Sequence, residues 1–334
     1  MLVIEFIRIG MIGTGNIAHT HVKNLLNIEN VQIVALSDPS ELSRQTLKQK
    51  FALDYTSEFA NHEEMLEQSE LDAVVICSPH TLHYRHASDA LSAGKHVLVE
   101  KPLTCTSAGA KRIIAQADQA GKVLQVSFQR HFIPHFMYIR QAIADGAIGR
   151  LTSVTATLYQ DWKDAQAGTW RQNPLLSGGG MLMDSGSHII DVLLWTTGLS
   201  PQSVTTQMHD QGSPVEIDTF TSIRFAEGQI GSLNIIGKTP TDMFSETYAF
   251  IGEEGGIFYD NGKIVLRRNG ADPIVPELPA AATSTDLSFV NAVRGNCEVA
   301  VPGEYALKVL LLTESIYAAA GYSPLSLTET EQYY

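Results

Sequence analysis

The chain has 334 residues, of which 44% are hydrophobic and 18% charged, with a formal net charge of −13. That length exceeds one ordinary core and suits two domains. The acidic balance argues against nucleic acid or an anionic membrane as partner. Three widely spaced cysteines, Cys77, Cys105 and Cys297, make neither a disulfide framework nor a zinc pattern and point to a reducing cytoplasm.

No run approaches the ~20 apolar residues of a membrane span. The apolar start, Met1 to Gly10, lacks a basic leader and carries Glu5, so it reads as a lead-in and a buried strand rather than a signal peptide. From Arg8 the strand enters Gly13-Thr14-Gly15-Asn16-Ile17-Ala18. In this G-x-G-x-x-A pattern the first glycine permits a tight turn and the second lets the backbone approach a pyrophosphate. The alanine lets a helix pack on the sheet. The helix expected over Ile17–Asn27 would aim free N–H groups at phosphates. A second apolar strand, Val31 to Ser37, ends at Asp38, about 20 residues past the glycines, where a carboxylate binds the adenosine ribose and repels a 2′-phosphate. NAD is favoured over NADP on that ground; the plainer alternative is that Asp38 only opens a turn.

Helices are expected over Glu41–Phe51 and His62–Glu67, with a short extended piece at Tyr55. Leu71 to Cys77 is another buried strand, closed by Ser78-Pro79, with His80, Thr81 and His83 just beyond. A helix from Tyr84 to Ala93 stops at Gly94, a residue suited to a left-handed C-terminal position. Val97-Leu98-Val99 ends in Glu100-Lys101-Pro102, which sets a lysine at the carboxyl end of a strand, where open α/β sheets bind ligands. The helix Ser107–Ala120 and the strand Val123–Phe128 complete an alternation that defines a doubly wound parallel sheet.

From Gln129 the pattern changes, and we set the domain boundary there: 1–128 and 129–334. Arg130, His131 and His135 cluster before a helix ending near Ala144; Leu151 to Leu158 has β character. The loop 160–177 holds Trp162, Trp170 and Arg171, read either as a lid whose tryptophans fill a crevice or as a wall for a sugar ring. Gly178-Gly179-Gly180 then opens a helical segment, Met181 to Thr197. It carries Asp184, His188 and Asp191 on one face among apolar neighbours. Burying those three without partners would cost about 1–3 kcal/mol or more apiece, so a built polar site is expected. Gly186 inside the helix suggests a close approach to the backbone. Six strands follow between Ser203 and Arg268, then a surface loop over Pro273–Thr283 and helices at Asp286–Val293 and Glu304–Ala320.

Taken together, Gly13-x-Gly15-x-x-Ala18, Ser78-Pro79-x-x-x-His83, Glu100-Lys101-Pro102 and Gly178-Gly179-Gly180-x-x-x-Asp184-x-x-x-His188-x-x-Asp191 resemble one family. It is the glucose-fructose oxidoreductase, inositol dehydrogenase and rhizopine-catabolism group (Gfo/Idh/MocA). The resemblance spans nearly the whole chain. It implies an NAD(P)-dependent enzyme acting on a sugar or cyclic polyol, built from an N-terminal Rossmann domain and an α+β domain with an open, mostly antiparallel sheet. It implies cofactor contacts at Gly13, Thr14, Gly15, Asn16, Ile17, Asp38, Ser78, Pro79, His80, His83, Glu100, Lys101 and Gln129. Substrate contacts are implied at Lys101, Arg130, His131, Trp162, Trp170, Arg171, Asp184 and His188. It also implies a homodimer or homotetramer formed through the C-terminal sheet. One departure is His80, where the family usually has Asn.

The chemistry expected is reversible hydride transfer from a hydroxyl-bearing carbon to NAD. A base near neutral pKa must take the hydroxyl proton, and His188 suits that without much tuning. Asp184 would orient the imidazole or bind a neighbouring hydroxyl, and Lys101 would stabilise the developing alkoxide. Whether Lys101 or His188 takes the proton first stays open. Two rival readings are an NAD-dependent glycoside hydrolase working by transient oxidation and a non-catalytic sugar or dinucleotide sensor. No metal is expected, because His80 and His83 lack a third ligand.

Overall fold

The computed structural model describes residues 6–280 and 283–323. The expected lead-in over Met1–Glu5 lies outside the described residues, as do Ala281 and Ala282 of the expected surface loop. The chain divides into two compact units. One comprises the described residues up to Phe128 together with Thr283–Leu307; the other comprises those from Gln129 to 280 and from Lys308 onward.

The first unit holds six strands: β1 (Ile7–Ile12), β2 (Val31–Ser37), β3 (Ser57–Phe59), β4 (Ala73–Ile76), β5 (His96–Glu100) and β6 (Leu124–Ser127). All are parallel, in the order β3-β2-β1-β4-β5-β6. Their connections are the helices α1 (Asn16–Leu25), α2 (Glu41–Phe51), α3 (His62–Gln68), α4 (His83–Ser92) and α5 (Ser107–Ala120). Every residue of β4 is buried, as are Val97, Leu98 and Val99 of β5, because helices cover both faces of a parallel sheet. The order reverses between β1 and β4, the switch point outside whose carboxyl ends such sheets bind ligands. The short extended piece expected at Tyr55 falls slightly later, at β3. The Lys101–Pro102 peptide is cis.

In the second unit α6 (Pro134–Ala144) leads into β7 (Leu151–Gln160) and two single-turn helices, α7 (Trp162–Ala165) and α8 (Pro174–Ser177). The helix α9 (Ser187–Thr197) follows. The remaining strands are β8 (Pro201–His209), β9 (Asp218–Phe225), β10 (Ile230–Ile236), β11 (Phe244–Gly252), β12 (Gly255–Asp260) and β13 (Lys263–Arg268). The sheet runs β13-β12-β11-β7-β10-β9-β8 and is antiparallel except where β7 pairs with β10. Alternation sorts its faces: Ile223, Phe225, Leu233, Ile235, Phe250 and Ile257 point into a core, while Phe220, Ile230 and Phe258 are exposed.

The last two helices are α10 (Thr285–Val293) and α11 (Gly303–Ala319). α10 belongs to the first unit, where Phe289 and Val290 pack in one cluster with Ile9, Met11, Val22 and Leu98. No helix among the described residues is long and apolar enough to cross a membrane.

Candidate active site

At the end of β1 the chain turns at Gly13, whose φ of +90° places it in the left-handed region; a Cβ there would meet the Cys77 carbonyl carbon at 2.7 Å. Gly15 caps α1 without a side-chain cap, and a Cβ on it would meet nothing within 4 Å. Asn16 and Ile17 are exposed beside it. The turn is held from β2: the Thr14 N–H donates to Asp38 Oδ2 at 2.8 Å, and Asp38 Oδ1 accepts from Ser40 N at 2.9 Å. Thr14 and Ser43 hydroxyls meet at 2.9 Å. An uncapped helix N-terminus, open space over Gly15 and a fixed carboxylate at the next strand end fit the pyrophosphate and ribose of a dinucleotide.

Beyond β4, the Ser78 hydroxyl lies 2.8 Å from His86 Nδ1. His83 is fully buried, its Nδ1 2.7 Å from the Pro102 carbonyl and its Nε2 2.8 Å from the Ser78 carbonyl. Burial holds its pKa below the ordinary value, against the Pro102 and Ser78 carbonyls, which favour the charged ring. This imidazole therefore ties the segment after β4 to the segment after β5 that carries Lys101. His80, also buried, meets the His83 ring edge-on at 5.9 Å.

In the second unit the segment expected as one helix is two. Leu182–Gly186 forms a π turn, and the α-helix begins only at Ser187. Such widened turns cluster at functional sites. Asp184 sits in this turn and is buried; its Oδ2 accepts from Trp162 Nε1 at 2.8 Å and from Arg171 Nε at 3.0 Å. Trp162, Arg171 and Asp184, all singled out from sequence, are thus brought together. Trp162 is only 1% exposed, so its ring fills the interior rather than lining a wall. Trp170 is half-buried beneath the Arg171 guanidinium, 4.5 Å from its centroid. His188, one residue into α9, is partly exposed. The close approach expected at Gly186 comes from Ile235, whose Cδ1 would lie 2.6 Å from an added Cβ.

Asp191 is fully buried and its Oδ1 pairs with His131 Nε2 at 2.7 Å; the His131 ring stacks on Trp195 with centroids 4.0 Å apart. Arg130 grips Glu246 with two donors, Nε to Oε1 at 3.1 Å and Nη2 to Oε2 at 2.6 Å. The Tyr248 hydroxyl donates to the same carboxylate at 2.6 Å. Arg130 and His131, expected as substrate contacts, each have a buried protein partner. Gln129 is exposed at the start of this unit.

The model of the family described as "Oxidoreductase family, NAD-binding Rossmann fold" matches residues 7–128, and the "GFO/IDH/MocA C-terminal domain" matches 136–258. The chain belongs to the Gfo/Idh/MocA oxidoreductase family. It is an NAD(P)-dependent oxidoreductase with an N-terminal Rossmann fold. Among its relatives is the D-glucoside 3-dehydrogenase of Escherichia coli, 26% identical over 342 residues and covering 94% of this chain and 95% of that protein. The myo-inositol 2-dehydrogenase of Thermotoga maritima is 27% identical over 260 residues, covering 76% of this chain and 75% of that protein. The WlbA dehydrogenase of Bordetella pertussis, solved with NADH and UDP-GlcNAcA, superposes with a TM-score of 0.83 at 25% identity over 97% of this chain and 98% of that one.

Three residues that take part in these networks escaped the sequence reading. His21 falls on the buried stripe of α1 with Ala18, Val22 and Leu25, and a histidine on an apolar stripe is the signal of a buried partner. Its partner Asp286 lies in the first turn of α10. Glu216, between Val215 and Ile217, accepts from Gly180 N, Leu182 N and the Tyr317 hydroxyl at 2.7, 3.1 and 2.8 Å. It thereby anchors the loop before the π turn, and a Cβ on Gly180 would lie 2.0 Å from the Glu216 carbonyl oxygen. One trio among the described residues has metal-like proximity, His62, Glu63 and Asp89. Arg85 pairs with both of its carboxylates, at 2.6 and 3.7 Å, which makes it an ion-pair network.

Proposed function

We infer that the chain is an NAD-dependent dehydrogenase that oxidises a hydroxyl-bearing carbon of a sugar or cyclic polyol. NAD supplies the hydride acceptor; the chain's own residues would manage the hydroxyl and its proton. His188 would take the proton, since an imidazole titrates close to the working pH. Lys101 would place positive charge beside the oxygen as it becomes an alkoxide. Asp184 would order the groups about the substrate from the π turn ahead of His188. The observation that carries this reading is the clamp on Asp184: an indole N–H and a guanidinium N–H fix one buried carboxylate oxygen, four residues before the imidazole. Such fixing is what a catalytic constellation needs.

The Asp38 carboxylate supports NAD over NADP, since a 2′-phosphate there would meet like charge. The names of the glucoside and inositol dehydrogenase relatives support a polyhydroxylated ring as substrate. Three cysteines that form no disulfide support a reducing, cytoplasmic setting. The exposed apolar side chains on the outer face of the second unit's sheet support a homodimer or homotetramer. The test is a panel of aldoses, glycosides, inositols and sugar acids with NAD and with NADP, followed by absorbance of the reduced cofactor. Reduction of NAD by one class is expected. A flat panel with either cofactor would overturn the reading.

A further inference from the structure

Glu100 ends β5, yet its carboxylate is turned inward and is only 8% exposed. Its Oε1 lies 3.1 Å from His21 Nε2, while its Oε2 accepts the main-chain N–H of Lys101 at 3.2 Å. On the other side of the ring, His21 Nδ1 lies 2.6 Å from Asp286 Oδ1, and Asn24 Nδ2 donates to Asp286 Oδ2 at 2.7 Å. His21 is 2% exposed and Asp286 fully buried. An imidazole facing an ionised carboxylate from each nitrogen satisfies both only as the imidazolium, which donates through Nδ1 and Nε2. Without that cation, two buried carboxylates would share the volume with one negative charge too many, and one would take up a proton.

We propose that His21 is a positioning residue for hydride transfer: it keeps Glu100 ionised, and Glu100 in turn holds the main chain at Lys101. This rests on the reading that Lys101 acts in catalysis. Burial opposes the imidazolium, but Asp286 and Glu100 raise its pKa to about 10. Burial likewise opposes the Glu100 carboxylate, yet His21 and Lys101, with a hydrogen bond from Ser127, hold it below its ordinary range. Two other titrating groups face these acids: the Cys77 thiol, raised well above its usual pKa by burial and then by Glu100 and Asp286, and the buried His83 ring, lowered by burial against the pull of the Pro102 and Ser78 carbonyls and Glu100.

The test compares wild type with His21→Gln, which retains a donor and loses the charge. Glu100 should then titrate in the working range. The acid limb of kcat should move up by about 2 pH units, with kcat at pH 9 returning to within about threefold of wild type. A uniform loss across pH, or an unchanged profile, would overturn the proposal. A second readout needs no activity: a protonated-carboxyl infrared stretch at pH 6 over and above the one that buried Glu216 gives in wild type and variants alike. It should appear in His21→Gln and be absent from wild type and from His21→Gln/Glu100→Gln. If the added band survives in the double variant, the proton belongs to Asp286 and the proposal is overturned. If the variant does not fold, the nitrogen shifts of His21 in wild type decide: an imidazolium at pH 8 is expected, and a neutral ring contradicts it. Appearance of the infrared band with a flat substrate panel would sink the dehydrogenase reading while leaving the role of His21 toward Glu100 standing.

Discussion

The indole of Trp162 donates to Asp184 across 22 residues of sequence, Nε1 to Oδ2 at 2.8 Å, and does so from a fully buried position. This bond separates packing from polarity. Trp162→Phe should keep most of the packing and lose the donor, costing about 1–3 kcal/mol of stability and about tenfold in kcat. Trp162→Ala should add a cavity and cost about 3–5 kcal/mol. Denaturant unfolding with steady-state kinetics measures both; an unchanged kcat in Trp162→Phe would remove Asp184 positioning from the mechanism.

The two glycines after β1 predict opposite phenotypes. Gly13→Ala meets backbone at 2.7 Å and a positive φ, so it should destabilise the first unit. Gly15→Ala meets nothing within 4 Å and should leave the melting temperature unchanged. It should nonetheless weaken NAD at least about tenfold, by crowding the pyrophosphate. Calorimetry of NAD binding with thermal melts checks the pair; equal NAD affinity in Gly15→Ala would show the turn is not the phosphate site.

Glu216 predicts a pH dependence of folding. Burial raises its pKa from 4.5 to about 7, against the opposing bonds from Tyr317, Gly180 and Leu182. The folded state therefore binds a proton more tightly than the unfolded one, and this contribution is lost as pH rises through about 7. Glu216→Gln should flatten the fall in stability between pH 5 and 8. Glu216→Ala should cost about 3 kcal/mol or more, by leaving buried donors unpaired. Urea unfolding at several pH values decides it; an identical slope in Glu216→Gln would refute the assignment.

The outer face of the second unit's sheet predicts association. Phe220, Ile230 and Phe258 are 50%, 52% and 37% exposed there. Phe220→Glu/Phe258→Glu should lower the mass found by light scattering to that of one chain, with its fold retained by circular dichroism. A wild type that is already a monomer, or a variant of unchanged mass, would contradict association through this face.

Most strands and helices were legible from local signals: α2 and α5 run over the expected residues, and the six strands expected between Ser203 and Arg268 are β8 to β13. The π turn was not, because one extra residue in a helical turn leaves an apolar pattern almost intact. The His21–Asp286 contact joins residues 265 apart, and no local period reports such a distance. A histidine on the buried stripe of α1 announced that a partner exists, without saying which. Glu216 was hidden for the same reason: a carboxylate between two apolar residues shows a need for donors, while the donors come from another loop and another helix. Trp162 carried two readings until its burial separated them.

The central claim is that Lys101 and His188 serve one hydride transfer. Its most direct measurement is turnover at saturating NAD in Lys101→Ala and His188→Ala, with NAD affinity taken by calorimetry on the same preparations. The account predicts a loss in kcat of about 10²–10⁴ in each, with NAD affinity within about threefold of wild type. Near-normal turnover in either variant would contradict it.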